Sequence, residues 1–220
     1  WQRAMIANRL STTSKSWVET FIKYNSGTYN NQFMALDMKK VDTDKRVIEP
    51  EAMFIVEQLP GDYEITDITS YLRYGYWPSY NVPFSPRIRD ISGVDAVVEK
   101  DPKLADSMSY HTCARANIFR RDHNLVKDLE SFKHLMRYNR YQVDPFSKGN
   151  PAYSIAARKD LAEVKPDCKG AIDAKVTSIK DVKGINKKKI NIIAGPTTDD
   201  QKPFNVEKAE CVKLNKDIYF

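Results

Sequence analysis

The 220-residue sequence predicts an α+β fold with antiparallel strands, and three observations carry that expectation. Met53 to Leu59 reads as an apolar strand closed by Pro60-Gly61, a strong turn pair, with a further strand from Tyr63 to Thr69 behind it. Two successive strands joined by so tight a turn form an antiparallel hairpin. Gln32 to Met38 is a second apolar run without Gly or Pro, as a buried strand would be. Helical spacing of apolar residues brackets these strands at 16–24 and 124–138.

In chain order, residues 1–12 read as the end of a helix, with Met5, Ile6 and Leu10 at helical spacing. Ser16 with Glu19 three residues later predicts a capping box, and Trp17, Phe21 and Tyr24 then make one apolar face. That helix leads into a polar turn at 24–31, rich in residues that bond to their own backbone or tolerate positive φ. Such a turn feeding a buried strand can hold side-chain amides at a site, or can be an ordinary hairpin. Lys39 to Arg46 is a charged connection, and residues 94–100 predict a short helix.

Between them lies the most aromatic segment, 71–84, where Pro78 and Pro83 forbid a helix and stiffen an irregular loop. Its Tyr and Trp residues suit a pocket wall and a core edge equally. Leu125, Val126, Leu129, Phe132, Leu135 and Met136 predict the strongest amphipathic helix. Ile172, Ala174 and Val176 alternate against Asp173, Lys175 and Thr177, which predicts a strand with one buried face. Cys211 to Phe220 reads as a weak edge strand.

Composition narrows the functional classes. No run approaches the length of a membrane helix, and the charges Arg3, Arg9, Lys15, Glu19 and Lys23 near the start do not read as a signal peptide. The net charge of +6 owes much to Lys175, Lys180, Lys183 and Lys187 to Lys189. Aromatic residues do not interleave with these lysines, as a nucleic-acid platform requires, so a solvated face is the plainer reading. Cys113, Cys168 and Cys211 have no C-x-x-C spacing, and His111, His123 and His134 do not complete a zinc set. No metal or cofactor is expected. There is no G-x-S-x-G, phosphate loop or H-E-x-x-H either, and a self-contained hydrolase site is hard to assemble from these residues.

Several phrases are more specific than their patterns. Tyr24-Asn-Ser-Gly-Thr-Tyr-Asn-Asn-Gln32, Glu57-Gln-Leu-Pro-Gly61, Tyr76-Trp-Pro-Ser-Tyr-Asn81, Arg115-Ala-Asn-Ile-Phe-Arg-Arg121 and Met136-Arg-Tyr-Asn139 resemble, in order, signatures of the phospholipase B-like family. Ser154 to Leu161 and Gly170 to Ser178 extend the resemblance, which thins over 179–220. The chain departs from the family in having Cys113-Ala114 where relatives show Ser-Pro, no close Cys pair after Asp144-Pro145, and no N-x-[ST] sequon.

The resemblance implies that residues 1–220 are the C-terminal part of a lysosomal or secreted hydrolase of the N-terminal-nucleophile class, an αββα sandwich with antiparallel sheets. It implies autoproteolysis of a precursor, a heterodimer of the products, and a Cys nucleophile whose own α-amine serves as base. That Cys is expected from the N-terminal portion of the same precursor. It further implies Asn81 and Arg115 as active-site residues, converging on one pocket, with Tyr76, Trp77 and Tyr80 beside the substrate, a lipid or an amide. On this reading the chain is inactive alone. A non-catalytic relative binding lipid, glycan or protein, and a basic surface-binding protein, are the competing readings. If a disulfide lies within the chain, Cys168–Cys211 is the expected pair, with Cys113 left for packing.

Overall fold

A computed structural model describes residues 1–183 and 189–206. The chain divides into two compact units, Trp1–Tyr110 and His111–Phe220.

In the first unit, helices α1 (Gln2–Leu10) and α2 (Ser14–Ile22) pack on one face of a three-stranded sheet. The α2 start differs from expectation. Thr13, not Ser16, is the N-cap: its hydroxyl accepts the Ser16 N–H at 3.1 Å, and the Ser16 hydroxyl accepts the Thr13 N–H at 3.0 Å. Ser16 thus supplies the far half of a capping box beginning three residues earlier, and Glu19 falls in the helix interior. The sheet runs β1 (Gln32–Leu36), β4 (Met53–Leu59), β5 (Asp62–Asp67), antiparallel throughout with β4 central. β1 ends two residues early because the Asp37 side chain accepts the Lys39 N–H at 3.0 Å and turns the chain. The charged connection holds a small ribbon of β2 (Val41–Asp42) and β3 (Val47–Ile48).

The alternation along β4 sorts its side chains between two faces. Phe54 and Val56 join Ala7, Val18, Phe21 and Ile22 in the buried core under the helices. Arg3 lays its guanidinium 4.5 Å from the Phe21 ring centre and donates to Phe21 O at 2.7 Å, joining α1 to α2. Glu57 turns to the opposite side, where the chain continues as α3 (Pro86–Ser92), α4 (Val94–Lys100) and α5 (Ala105–Met108).

The second unit carries α6 (Ala114–Asp122), α7 (Leu129–Arg137), β6 (Asp173–Val176), α8 (Ile179–Lys183) and β7 (Asn191–Ala194), with β6 and β7 antiparallel. α7 starts later than its periodicity suggested, because Asp128 and Ser131 close a capping box and leave Leu125 exposed. On β6, Ala174 and Val176 are buried as expected. Ile172 is 64% exposed, since pairing begins only at Asp173.

Much of this unit is irregular backbone held by buried polar side chains. The Asn139 amide donates to Pro151 O at 3.0 Å and Ala156 O at 2.7 Å. Arg158, 1% exposed, grips Asp160 through two bonds of 2.9 and 2.8 Å and donates to Thr197 O at 2.6 Å and Lys202 O at 3.0 Å. Cys168 is in a disulfide and Cys113 is a free, buried thiol. Cys211, the partner expected for Cys168, lies outside the described residues, as do the proposed edge strand and Lys187 and Lys188.

Asp144 is a third such anchor. It accepts from Arg121 at 2.8 Å and from the Tyr138 hydroxyl at 2.6 Å. Burial pushes its carboxyl up, but the bonds from Arg121, Tyr138 and the Phe146 N–H outweigh that and hold it below the ordinary carboxylate value. Burial, with the Asp144 bond, lifts Tyr138 to about 12. A depressed folded-state pKa gives stability that is present above the unfolded pKa, near 3.8, and lost as pH falls through the folded value. Asp144→Asn is therefore expected to destabilise the protein by roughly 1–3 kcal/mol at neutral pH. Denaturant titrations of both forms should show the gap closing below pH 3.8; a pH-independent gap would assign the loss to packing.

Candidate active site

The polar turn at 24–31 is sewn to the β4–β5 turn. The Asn25 amide donates to Leu59 O at 2.8 Å, and its oxygen accepts the Gly27 N–H at 3.0 Å. Gly27 has φ +70°, and a Cβ there would sit 3.0 Å from Pro60 Cα. Both the conformation and the close approach demand glycine. Below it, the Gln58 amide donates to Thr28 O at 3.1 Å while its oxygen accepts from Arg3 at 3.0 Å.

This stitching opens a cleft of about 150 Å³ lined in part by five side-chain amides, Asn30, Asn31, Gln32, Gln58 and Asn81, with Glu57 among them. Val82 and Ile88 supply apolar wall.

Asn81 comes from the aromatic loop. It is exposed, lies at φ +62°, and sits between the buried residues Tyr80 and Val82. Asn is among the few residues that take this conformation readily. The loop packs on itself. Trp77 meets Phe84 edge-on at 4.9 Å and Tyr71 at 5.6 Å, and its indole N–H donates to Gln32 Oε1 at 3.3 Å. Tyr80 is 5% exposed and donates its hydroxyl to Tyr110 O at 2.5 Å. The Tyr110 ring lies 5.5 Å away, its own hydroxyl pushed up to about 12 by burial. Tyr76 is half-buried. Of the aromatic residues singled out from the sequence, Trp77 thus packs within the loop that carries Asn81 and bonds to Gln32, and Tyr80 packs on and bonds to Tyr110.

Arg115 belongs to the second unit, in the first turn of α6 and half-buried, with Ala114, Ala116 and Ile118 buried around it. A cation in a helix's first turn opposes the backbone dipole, so the helix itself does not favour this placement. Cys113 is the N-cap; burial pushes its thiol up, against weaker opposing pulls from the Ala116 N–H and the Arg115 charge.

Glu57 was read in the sequence only as part of a family phrase, not as a site residue. It is 3% exposed and accepts three N–H donors: Gln32 Nε2 at 2.7 Å, Phe84 N at 2.7 Å and Ser85 N at 2.8 Å. A carboxylate inside an otherwise apolar strand was the available signal, because a buried charge requires partners.

The family profile for Phospholipase B matches residues 1–219. Phospholipase B-like 1 of Rattus norvegicus is 46% identical over 206 residues, covering 93% of this chain and 36% of the relative. Phospholipase-B 81 of Drysdalia coronoides is 46% identical over 179 residues, covering 81% of this chain and 32% of the relative. Phospholipase B-like protein B of Dictyostelium discoideum is 42% identical over 221 residues, covering 99% of this chain and 37% of the relative. The chain spans about a third of the length of the curated relatives it matches. With a match along almost its whole length, the chain belongs to the phospholipase B family.

Proposed function

We propose that this chain is part of a phospholipase B-like hydrolase that cleaves acyl ester or amide bonds, working in a lysosomal or secreted αββα sandwich. Its nucleophile is a Cys on another segment of the same protein, freed by autoproteolysis. The α-amine of that Cys takes the thiol proton, and the thiolate attacks the substrate carbonyl. Asn81 donates its amide N–H to the oxygen that gains charge. Arg115 lowers the thiol pKa or holds an anionic part of the substrate. The 76–80 aromatic residues back the bound acyl group. One observation supports the reading: Asn81 stands in a left-handed, Pro-flanked loop at the edge of a cleft that five side-chain amides help to line.

The test is turnover of a fluorogenic N-acyl amide and a matching ester by the longer protein, with and without prior alkylation by iodoacetamide. Hydrolysis abolished by alkylation is the expected result, with no turnover by the 220-residue chain alone. Activity of that chain by itself, or activity indifferent to alkylation, would overturn the assignment of the nucleophile.

A further inference from the structure

Both ends of the loop that carries Asn81 lead to a single carboxylate. At the far end, the Phe84 and Ser85 N–H groups donate to Glu57 Oε1 and Oε2 at 2.7 and 2.8 Å. At the near end, the Trp77 indole donates to Gln32 Oε1 at 3.3 Å, and Gln32 Nε2 donates to Glu57 Oε1 at 2.7 Å. The chemistry of the amide makes this relay directional. A carboxylate only accepts, so Gln32 must turn its NH₂ toward Glu57, which leaves its oxygen facing Trp77. Ser85 extends the anchor: its hydroxyl accepts the Ile88 N–H at 3.1 Å as the cap of α3 and donates to Glu64 Oε2 at 2.5 Å.

We propose that Glu57 is a positioning residue for the hydrolase reaction, clamping residues 77–85 at both ends so that the Asn81 amide keeps one direction at the cleft edge. The proposal rests on the assignment of Asn81 to the oxyanion. Glu57 fills the role because its three hydrogen-bond partners are all N–H donors, and the two oxygens of a carboxylate accept from all of them. The residue directly opposite on β5 is Glu64, another carboxylate. Like charges so placed repel, and the N–H groups that Glu57 gathers offset that repulsion.

The experiment uses the longer, active protein and compares Glu57→Gln with Glu64→Gln. The amide in Glu57→Gln sets a donor against one of three donors. Glu64→Gln keeps an oxygen for the Ser85 hydroxyl. Amide hydrogen exchange at Phe84 and Ser85 is expected to rise on the order of tenfold or more in Glu57→Gln and to stay unchanged in Glu64→Gln. In Glu57→Gln, kcat should fall by a similar factor at unchanged KM, because misdirecting the amide affects the transition state and not ground-state binding. If Glu57→Gln does not fold, Gln32→Met cuts only the Trp77 arm; it should quicken exchange of the indole N–H and lower kcat while sparing Phe84 and Ser85.

Wild-type exchange at the loop in Glu57→Gln, or in Gln32→Met at the indole, overturns the clamp whatever the activity. Raised exchange with wild-type kcat overturns the positioning role. In that case Asn81→Gly separates the two ideas. If it too leaves kcat intact, the oxyanion assignment has failed. If it lowers kcat, Glu57 alone was misread.

Discussion

Asn81→Ala is expected to lower kcat of the longer protein by about two orders of magnitude, the usual consequence of deleting one oxyanion donor. The backbone at this position complicates the experiment, because Asn81 lies at φ +62°. Alanine there loses the amide and is also strained. Asn81→Gly separates the two effects: it removes the amide while tolerating the left-handed conformation. Both variants should lose turnover alike, with stability lowered only in the alanine form. Near-normal turnover in Asn81→Gly would remove the amide from the mechanism and leave the loop conformation as the feature that matters.

Arg158→Met is expected to destabilise the second unit by about 3–5 kcal/mol. The guanidinium is 1% exposed on its side chain and Asp160 only 11%, so removing the cation strands a carboxylate out of water. Two carbonyls, Thr197 O and Lys202 O, also lose a donor they now share. The double variant Arg158→Met, Asp160→Leu should regain part of the loss, since an ion pair replaced as a whole costs far less than half of one. Urea unfolding of the three forms provides the comparison. A single-variant loss below 1 kcal/mol would mean that the 197–202 segment holds without this anchor.

The part of this fold that rests on neighbouring residues was legible. β4 runs from Met53 to Leu59, as the apolar run with its Pro-Gly turn indicated, and α4 covers Val94 to Lys100, where a short helix was expected. Errors at helix starts arose where a hydroxyl or carboxylate had a choice of partner, as at Thr13 and Asp128. The antiparallel α+β character was legible for the same reason. The candidate site was legible only in part. Asn81 was proposed through a family phrase and its aromatic neighbours stood out by composition, and no periodicity would have singled out either. Glu57 has partners 25 to 28 positions away, and Arg158 has partners 39 and 44 positions away. The apolar strand around Glu57 hints at a buried charge, but nothing local names the partners of either residue. Its role exists only once the chain has closed upon it.

The state of the two described cysteines bears on how the protein's reactive chemistry can be counted. Cys113 is 1% exposed and its burial keeps the sulfur protonated, whereas alkylating reagents consume thiolate. Cys168 has already spent its sulfur in a disulfide. A brief maleimide pulse on the folded protein therefore passes over both. Whatever label the native molecule takes up measures the thiols beyond these two, and Cys113 adds to that label only once denaturation has opened its surroundings.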